Sequence, residues 1–293
     1  MRILITGGLG QLGRRLSQAA SVRGAGVNAG EVVAFSRAEL DICDAEAVDQ
    51  ALRDVRPDVV FNTAAYTAVD AAEQDADRAF EVNRDGAAVV AMACCAAGVQ
   101  LVHISTDYVF SGGNAAGDRP HLAADPVAPV GVYARSKFAG EQAVLAACPS
   151  ASVVRTGWLY DSEGRNFLTT MLHLAAERTV ITVVADQVGC PTHAVAFAED
   201  LLDWAALGAG ALDISGVHHY GHAGQASWFS FAQRIFAQAR PEVQVMPITT
   251  AEFPTAAERP AWSKLDEGAF FAALGRPPVS WEAALDRCLN ERA

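Results

Sequence analysis

The sequence predicts an α/β protein built on a doubly wound parallel sheet, followed by a smaller and more irregular α/β lobe. Short aliphatic runs alternate with longer alanine-rich stretches through the first half, and these runs carry apolar residues on both faces. Strands of that kind lie inside a parallel sheet with helices on each side, joined by right-handed crossovers. The alternation fades after about Trp158. We therefore predict a first domain over residues 1–157 and a second lobe over residues 158–293, with parts of 190–225 returning to the first domain.

Each element of the first domain follows from a run of this kind. Predicted strands cover residues 1–6, 31–36, 58–63, 101–105 and 152–156. Predicted helices cover residues 11–22, 45–55, 71–98 with a break near Asn83, and 132–148. In the second lobe, shorter helices over 166–178, 194–207 and 229–239 are separated by loops rich in proline and glycine at 189–192, 247–260 and 275–279.

Charge and composition exclude several classes of partner. The chain of 293 residues has 22 Lys and Arg against 34 Asp and Glu, a formal net charge of -12. Such a chain repels nucleic acid and anionic membranes, so we expect neither as a partner. No apolar run reaches the ~20 residues that span a bilayer. The six cysteines form no CxxC pair, and the chain starts directly on a strand without room for a signal peptide, so we expect a cytoplasmic protein with reduced thiols.

A glycine-rich turn joins the first predicted strand to the first helix. Residues 6–13 read TGGLGQLG, in which Gly7, Gly10 and Gly13 fit GxxGxxG, and the same turn started at Gly8 fits GxGxxG. Glycine allows a sharp turn and lets the backbone approach a pyrophosphate, which the N–H groups and dipole of the helix N-terminus then attract. Such turns also serve helix packing alone. At the first βα junction, however, the motif predicts a Rossmann fold whose first domain binds a dinucleotide, which leaves the second lobe for the substrate.

The end of the second strand indicates which dinucleotide is bound. Sites for NAD usually carry an acidic residue there, which binds the ribose hydroxyls. This chain has Ser36 and Arg37 instead, and a hydroxyl with a guanidinium suits a 2′-phosphate. The sequence therefore favours NADPH, with NADH as the alternative if Arg37 is only a solvated loop residue.

A second motif indicates oxidoreductase chemistry. Tyr133 and Lys137 lie four residues apart at the start of a predicted helix, so their side chains share one helical face. A phenol has a pKa of about 10, and a neighbouring ammonium favours its phenolate and lowers that pKa. Chance matches to YxxxK are common in helices. Ser105 and Thr106 strengthen this one, because a hydroxyl at the end of the fourth strand can bind a substrate carbonyl beside the phenol.

Six segments in this order carry a resemblance that covers nearly the whole chain: GGLGQLG, NTAAYTAVD, ISTDYVFSG, YARSKFAGE, RTGWLY and DQVGCPT. With them the chain resembles the extended short-chain dehydrogenase/reductase family. Within that family it is similar to the enzymes that reduce dTDP-4-keto-6-deoxy sugars, above all those that convert dTDP-4-dehydro-L-rhamnose to dTDP-L-rhamnose. The resemblance implies a dTDP-sugar substrate and NADPH-dependent reduction of its C4 ketone.

The resemblance also implies roles for single residues. Thr106, Tyr133 and Lys137 would form the catalytic trio: Thr106 positions the ketone, Tyr133 protonates the C4 oxygen, and Lys137 holds the nicotinamide ribose and tunes the tyrosine. Asp107, Tyr108 and Trp158 would contact the sugar, although a buried structural aromatic is the alternative for the last two. Cofactor-binding residues would be Gly7, Gly10, Gln11, Leu12, Gly13, Ser36, Arg37, Asp41, Ile42, Ala64, Ala65, Tyr66 and Ser105.

Two observations bear on metal ions. Relatives with a magnesium-bridged dimer use two glutamates where this chain has Arg15 and Val195, so we predict no metal and leave a homodimer open. His218, His219 and His222 lie close together in the sequence, but no Cys, Asp or Glu stands beside them at ligand spacing. Zinc is therefore the weaker interpretation of this cluster.

Three rival functions share the fold. Nucleotide-sugar dehydratases carry Thr-Asp-Glu where this chain has Thr106, Asp107 and Tyr108. Because this chain lacks the glutamate, it lacks a group for the second proton transfer of a dehydratase. A non-catalytic regulatory subunit would not need the intact catalytic trio. A reductase of another dTDP-deoxysugar, of the kind used in antibiotic biosynthesis, stays open because Trp262 replaces the asparagine that is usual in the C-terminal stretch RPAWSKLD.

Overall fold

The computed structural model describes residues 1–24, 31–111, 119–210 and 212–292. Strands in these ranges are β1 (Ile3–Thr6), β2 (Val32–Phe35), β3 (Val59–Asn62), β4 (Gln100–Thr106), β5 (Ser152–Thr156), β6 (Leu159–Tyr160), β7 (Val180–Val184), β8 (Val188–Gly189), β9 (Thr192–His193), β10 (Gly216–His219), β11 (Ala226–Ser227) and β12 (Gln244–Ile248). Helices are α1 (Gln11–Gly24), α2 (Ala45–Val55), α3 (Val69–Ala72), α4 (Ala76–Phe80), α5 (Ala87–Ala97), α6 (Gly131–Ala147), α7 (Phe167–Leu174), α8 (Ala194–Ala209), α9 (Trp228–Ala239), α10 (Gly268–Leu274) and α11 (Trp281–Asn290). A π-helix covers Glu81–Gly86, and short 3-10 helices cover Asp107–Phe110 and Thr250–Glu252.

The central sheet contains six strands in the order β10-β5-β4-β3-β1-β2. All neighbouring strands in it run parallel. The order reverses at β1, from which the chain proceeds outward first to β2 and then, on the other side, to β3, β4 and β5. The predicted doubly wound parallel sheet is therefore confirmed.

Helices cover both faces of this sheet because successive strand residues point to opposite sides. Ile3 and Ile5 of β1 pack into the core formed with α1, α8 and α10. Leu4, between them, packs into the core formed with α2, α5 and α6. The apolar runs seen in the sequence are thus buried on both sides, as expected for interior parallel strands.

Part of the second half of the chain completes the central sheet and one of the helical layers that cover it. Strand β10 pairs with β5 at the edge of the central sheet. Helix α8 packs against α1, where Phe197, Leu201 and Trp204 share a core with Leu12 and Leu16. Both elements lie within the range 190–225 that the sequence assigned in part to the first domain. The predicted domain boundary at residue 157 stays a prediction.

The second lobe has its own core, around Leu168, Ile181, Phe231 and Leu285. Here the prediction of a loop from residue 247 onward is wrong at its start, because Pro247 lies in β12, which pairs in parallel with β7. Proline is tolerated there because a two-stranded sheet consists of edge strands, where one missing N–H costs little. Helices α10 and α11 were not predicted from the sequence.

The predicted helix over 71–98 is broken into α3, α4, the π-helical segment and α5. Asn83, at the expected break, lies inside the π-helix. A π-helix inserts an extra residue into the helical turn, and such insertions often re-aim a functional side chain. Among the described residues, no helix is both long and apolar enough to cross a membrane.

Candidate active site

A cleft opens along the carboxyl ends of the central strands, where ligands bind in open α/β sheets. Its volume is about 690 Å³. Successive strands each contribute to its walls: the glycine turn follows β1, Arg37 follows β2, Ala64 follows β3, Thr106 ends β4 and Trp158 follows β5. The walls of the cleft are therefore built by residues that follow successive strands of the central sheet.

The cleft brings together the predicted site residues, with the exception of Ser36. Those on its walls are Gly7, Gly10, Gln11, Leu12, Gly13, Arg37, Asp41, Ile42, Ala64, Ala65, Tyr66, Ser105, Thr106, Asp107, Tyr108, Tyr133, Lys137 and Trp158. Sequence reasoning missed Leu9, Arg78 and Gly157, which also line it. Leu9 is an apolar side chain 76% exposed at the tip of the glycine turn, a feature that the glycine pattern alone does not reveal.

The glycine turn leaves backbone exposed at the first βα junction. Gly7 has a φ of +69°, and a Cβ there would lie 2.8 Å from the backbone N of Ala64. A Cβ at Gly13 would lie 2.3 Å from the carbonyl oxygen of Gly7. Neither position can carry a side chain, and Gly10 N–H closes the turn by donating to the Gly7 carbonyl at 2.8 Å. This close packing brings the N-terminus of α1 to the cleft.

Ser36 does not line the cleft, and both of its donors are bound to a neighbour. Its backbone N–H and its hydroxyl both donate to Glu39 Oε2, at 2.8 and 2.7 Å, and these bonds lower the pKa of Glu39. Arg37 is exposed on the wall and forms no ion pair with the described residues. Arg78, in contrast, pairs with Asp41 at 3.3 Å, between its Nη2 and Oδ2.

Asn83 supports the cleft wall at Tyr66. Its side-chain oxygen accepts the Tyr66 N–H at 2.8 Å, and its amide donates to the Tyr66 carbonyl at 3.1 Å and to Ser136 Oγ at 3.0 Å. Helix α6 approaches this segment so closely that a Cβ at Gly140 would lie 2.0 Å from the Asn83 carbonyl oxygen. Asn83 thus ties the loop after β3 to the helix that carries Tyr133.

The three residues predicted to be catalytic are close neighbours. Tyr133 and Lys137 lie on successive turns of α6, and Thr106 ends β4 beside them. The Thr106 hydroxyl lies close enough to the Tyr133 phenol to influence its pKa, and Lys137 Nζ donates to the Ile104 carbonyl at 2.8 Å. Tyr108 packs edge-on against the Tyr133 ring with centroids 5.5 Å apart. Phenol, hydroxyl and ammonium therefore converge at one point of the cleft.

Burial dominates the electrostatics of this trio. It raises the pKa of Tyr133 to about 12, although the neighbouring Thr106 hydroxyl lowers it. Burial also lowers the pKa of Lys137 to about 8, against the nearby Glu141 carboxylate, which raises it. The sequence led us to expect a lowered pKa for the phenol beside the ammonium. In the structure the loss of solvent has the largest effect, and the pKa is raised instead.

A buried ion pair between Glu141 and Arg155 lies beside the trio. We did not predict it from the sequence. Glu141 accepts two hydrogen bonds from Arg155, at 2.8 and 2.6 Å, and one from Ser105 Oγ at 2.5 Å. The side chains of Arg155 and Glu141 are 4% and 2% exposed. Ser105 therefore directs its hydroxyl at this pair.

Asp107 is buried at the floor of the cleft. The residue is 2% exposed, and its Oδ1 accepts a hydrogen bond from Thr106 Oγ1 at 3.2 Å. A Cβ on Gly157 would lie 2.3 Å from Oδ2, so glycine is required at that position. Burial raises the pKa of the Asp107 carboxyl to about 6, although the nearby hydroxyls of Ser263 and Thr106 lower it.

Trp158 has an unusual backbone and a close aromatic partner. Its φ of +51° lies in the left-handed region, which a tryptophan adopts only with support from its surroundings. Its indole stacks on Trp228 with ring centroids 3.5 Å apart and planes 2° from parallel. A Cβ at Gly189 would lie 2.5 Å from the indole nitrogen of Trp158, so this side chain is held from two directions.

Trp262, where the resemblance implies an asparagine, binds the segment that begins at Arg119. Its indole N–H donates to the Arg119 carbonyl at 3.0 Å. Arg119 follows residues 112–118, which lie outside the described ranges. The backbone beside Trp262 also joins that segment, since His121 N–H donates to the Lys264 carbonyl at 2.8 Å.

The histidines of the cluster in the sequence do not converge. His218 Nε2 donates to the Ile214 carbonyl at 3.0 Å, and His219 Nδ1 donates to the His121 carbonyl at the same distance. His222 Nε2 instead accepts the His193 N–H at 3.1 Å. Each ring is used in a structural contact. In the part of the chain that the structure describes, no group of three or more His, Cys, Asp or Glu side chains is placed to hold a metal ion.

Arg15, at a position where some relatives have a glutamate, is fixed within its own chain. Its guanidinium binds the carboxylate of Asp161 through two hydrogen bonds, at 2.5 and 2.7 Å, and the Asp161 side chain is fully buried. Val195 lies in the first turn of α8. An arginine paired in this way connects the first helix to the second lobe.

Comparisons with known proteins agree over the whole chain. The RmlD substrate binding domain family matches residues 1–293. The dTDP-4-dehydrorhamnose reductase of Mycobacterium tuberculosis (strain ATCC 25618 / H37Rv) is 40% identical over 98% of this chain and 92% of that protein. Crystal structures of dTDP-4-dehydrorhamnose reductases from Clostridium acetobutylicum, and from Bacillus anthracis in complex with NADP, superpose with TM-scores of 0.89 and 0.85 at 36% and 37% identity, each covering 99% of both chains. The chain therefore belongs to the RmlD substrate binding domain family, the family of the dTDP-4-dehydrorhamnose reductases.

Proposed function

We propose that the chain is an NADPH-dependent reductase that converts dTDP-4-dehydro-L-rhamnose to dTDP-L-rhamnose. The observation that carries the proposal is the convergence of Thr106, Tyr133 and Lys137 with the glycine turn in one cleft. Relatives that match nearly the whole chain are dTDP-4-dehydrorhamnose reductases, and the one from Bacillus anthracis was solved with NADP. Geometry and relatives together favour reduction of a C4 ketone.

The cofactor end of the cleft fits a dinucleotide. Because Gly7 and Gly13 exclude side chains, a phosphate can approach the free N–H groups at the start of α1. The exposed guanidinium of Arg37 suits a 2′-phosphate, which Ser36 joins once its donors leave Glu39. When bound, NADPH supplies the hydride. The pyrophosphate would lie against Gly7, Gly10, Gln11, Leu12 and Gly13, the adenine against Asp41 and Ile42, and the ribose against Ala64, Ala65, Tyr66 and Ser105.

The chain's own groups handle the proton. Tyr133 donates its phenol proton to the C4 oxygen, and burial keeps that proton in place at neutral pH because the pKa of the phenol is about 12. Thr106 positions the ketone with its hydroxyl. Lys137 holds the nicotinamide ribose and stabilises negative charge as it develops on the phenol. Asp107, Tyr108 and Trp158 line the sugar end of the cleft.

A direct assay tests this function. Purified protein is mixed with NADPH and dTDP-4-dehydro-L-rhamnose, which a coupled upstream reaction supplies, and absorbance of NADPH is followed while the product sugar is identified by mass. We expect one dTDP-L-rhamnose to form for each NADPH oxidised. The Tyr133→Phe variant should retain only a small fraction of this activity. Binding of NADPH without turnover by the wild type would overturn the reductase in favour of a non-catalytic NADP-binding regulatory subunit.

The position of Trp262 favours a second candidate, the reductase of another dTDP-deoxysugar. Its indole N–H binds the Arg119 carbonyl, at a position where the resemblance implies a smaller amide side chain. A panel of dTDP- and UDP-linked 4-keto-6-deoxy sugars separates the two candidates by kcat/KM. A higher value for a sugar other than 4-dehydro-L-rhamnose would assign that sugar as the substrate.

A homodimer and a cytoplasmic location belong to the same proposal. The six cysteines are all unpaired in the structure, which suits a reducing compartment. Light scattering after size exclusion gives the oligomeric state, and a monomer at micromolar concentration would contradict the homodimer.

A further inference from the structure

A chain of polar groups leads from the Tyr133 phenol into the protein, away from the cleft. The Thr106 hydroxyl lies close enough to the phenol to lower its pKa, and Thr106 Oγ1 donates to Asp107 Oδ1 at 3.2 Å. Asp107 Oδ2 is buried and has no hydrogen-bond partner among the described residues. Buried carboxylate oxygens are nearly always hydrogen-bonded, so we expect a bound water molecule or another donor at this atom.

A small cavity lies on the far side of Asp107. Its volume is about 10 Å³, and its walls include Asp107, Gly157, Ser263 and Lys264. Ser263 is 3% exposed, and its hydroxyl lies near the Asp107 carboxyl without completing a hydrogen bond to any described residue. A cavity of this size with several polar neighbours matches one bound water molecule.

The chain continues from this cavity to the surface. Lys264 Nζ donates to Glu267 Oε2 at 2.5 Å and to the His222 carbonyl at 3.1 Å. An ammonium has three N–H donors, so the third is available to a water in the cavity. The Lys264 side chain is 5% exposed and that of Glu267 is 12% exposed, which brings the end of the chain to solvent.

We propose that Asp107 returns a proton to Tyr133 through Thr106 after each turnover, and is itself recharged from solvent through the cavity beside Ser263 and Lys264. This role rests on the proposed reductase function. The phenol O–H bond breaks as its proton passes to the C4 oxygen. The phenolate then takes the Thr106 proton, and Thr106 takes the proton of the Asp107 carboxyl. The Asp107 carboxylate accepts a proton that enters from water, so each turnover consumes one solvent proton.

The surroundings of Asp107 suit a group that both holds and releases a proton. Tyr108 and Tyr133 face it from the cleft side, and Lys264 with Glu267 faces it across the cavity. Burial holds its pKa at about 6, so at pH 7 about one carboxyl in ten carries a proton at equilibrium. A carboxyl with an ordinary pKa would be protonated far more rarely.

Rapid mixing of the variant Asp107→Asn tests the relay, since an amide keeps the size of the side chain but cannot pass a proton. Each active site starts with a protonated Tyr133, so the first turnover does not need the relay. We expect a burst of one NADPH oxidised per site, followed by steady turnover at least about tenfold slower than that burst. A merely structural role would slow the burst and the steady state in parallel, and that result overturns the proposal. An unchanged steady state also overturns it, because the proton would then return by another route.

Two further variants guard against misfolding and non-specific effects. Ser263→Ala removes a hydroxyl from the cavity without touching the catalytic trio, and we expect the same split between burst and steady state with a smaller factor. Asp200→Asn is the matched control for loss of a partly buried carboxylate with a raised pKa. Asp200 accepts the Tyr220 hydroxyl at 2.8 Å, and it has no hydrogen bond to Tyr133, Thr106 or Asp107, although Tyr220 also lines the cavity. This variant should show no slow phase after the first turnover.

An infrared measurement without cofactor or substrate separates this proposal from the proposed function. In the wild type, we expect a buried carboxylic acid band that disappears with a midpoint near pH 6 and that Asp107→Asn lacks. Absence of that band overturns the relay even if the enzyme turns over. Failure of the wild type to oxidise NADPH refutes the reductase, and with it the relay that serves the reaction.

Discussion

At Tyr133, burial and hydrogen bonding act on the phenol in opposite directions, and burial wins. The group is therefore a proton donor at rest and becomes an acceptor only after it has reacted. Changing Tyr133→Phe removes that proton and leaves the glycine turn intact. We expect kcat to fall by roughly 10²–10⁴, the usual cost of a lost general acid, while the dissociation constant for NADPH, measured by fluorescence titration, stays within twofold. Near-full activity would assign the proton donor to another group.

Arg37 offers the second prediction at this scale. Its guanidinium is exposed just after the end of β2. The donors of the neighbouring Ser36 are bound to the Glu39 carboxylate. Arg37→Glu should repel a 2′-phosphate and accept ribose hydroxyls instead. The ratio of kcat/KM for NADPH to that for NADH should fall by about tenfold or more, as for loss of one charge-assisted contact. An unchanged ratio would make Arg37 a solvated loop residue.

The buried Asp107 carboxyl makes the free energy of unfolding depend on pH. Its pKa is raised in the folded chain, to about 6, so the stabilisation from its neutral form is complete below the unfolded pKa near 3.9 and is lost as pH rises through 6. Between pH 5 and 8 the loss amounts to roughly 1.4 kcal/mol. Asp107→Asn should therefore gain free energy of unfolding relative to the wild type as pH rises, measured in denaturant at both pH values. An equal difference at pH 5 and pH 8 would mean that the carboxyl titrates normally.

At the scale of elements, the left-handed turn at Trp158 depends on a helix from the other lobe. Trp228 starts α9 and stacks on Trp158 at 3.5 Å, so α9 fixes how the indole of Trp158 lines the cleft. Trp228→Leu should remove the exciton couplet of the stacked indoles from the circular dichroism spectrum. An aromatic pair contributes about 0.5–1.5 kcal/mol, so KM for the sugar nucleotide should rise about 2- to 12-fold while KM for NADPH is unchanged. Equal changes in both constants would point to general unfolding of the lobe.

The same scale shows which elements the sequence could predict. The strands of the central sheet are apolar on both faces and stand beside helical runs, so a local pattern suffices for them. β7 and β12 were missed because they pair with each other across about 60 residues and carry exposed side chains at alternate or adjacent positions. The π-helix at Glu81–Gly86 was missed because one inserted residue leaves the composition of a helix unchanged.

At the scale of the whole molecule, one buried ion pair joins several elements. Glu141 of α6 binds Arg155 of β5 and Ser105 of β4. Glu141→Gln leaves the buried Arg155 cation without its partner, so the free energy of unfolding should fall by about 3–5 kcal/mol. The double variant with Arg155→Met should recover most of this loss, which denaturant unfolding of both proteins would measure. If the double variant is no more stable than the single one, the pair does not act as a unit.

The sequence could place residues on the cleft wall where they belong to contiguous motifs. The glycine turn, the loop after β3 and the YxxxK pair each put several residues there. Ser36 is not on this wall, and its donors are bound to Glu39, three residues later; its role stays a prediction. Asn83 and Gly157 were missed because their roles depend on contacts with distant residues, Tyr66 and Asp107, which no local spacing encodes.

The late arrival of β10 has a consequence for synthesis on the ribosome. When residue 157 has emerged, β5 still has an open edge, and the apolar face later covered by α8 is still uncovered. About 60 residues separate Thr156 from Gly216, which at 5–20 residues per second means roughly 3–12 s of elongation. During that interval the nascent chain presents an unpaired parallel strand, a target for aggregation and for chaperones. The sheet that carries the cleft is therefore completed only after β10 has been made, although the residues on the cleft wall all lie before residue 160.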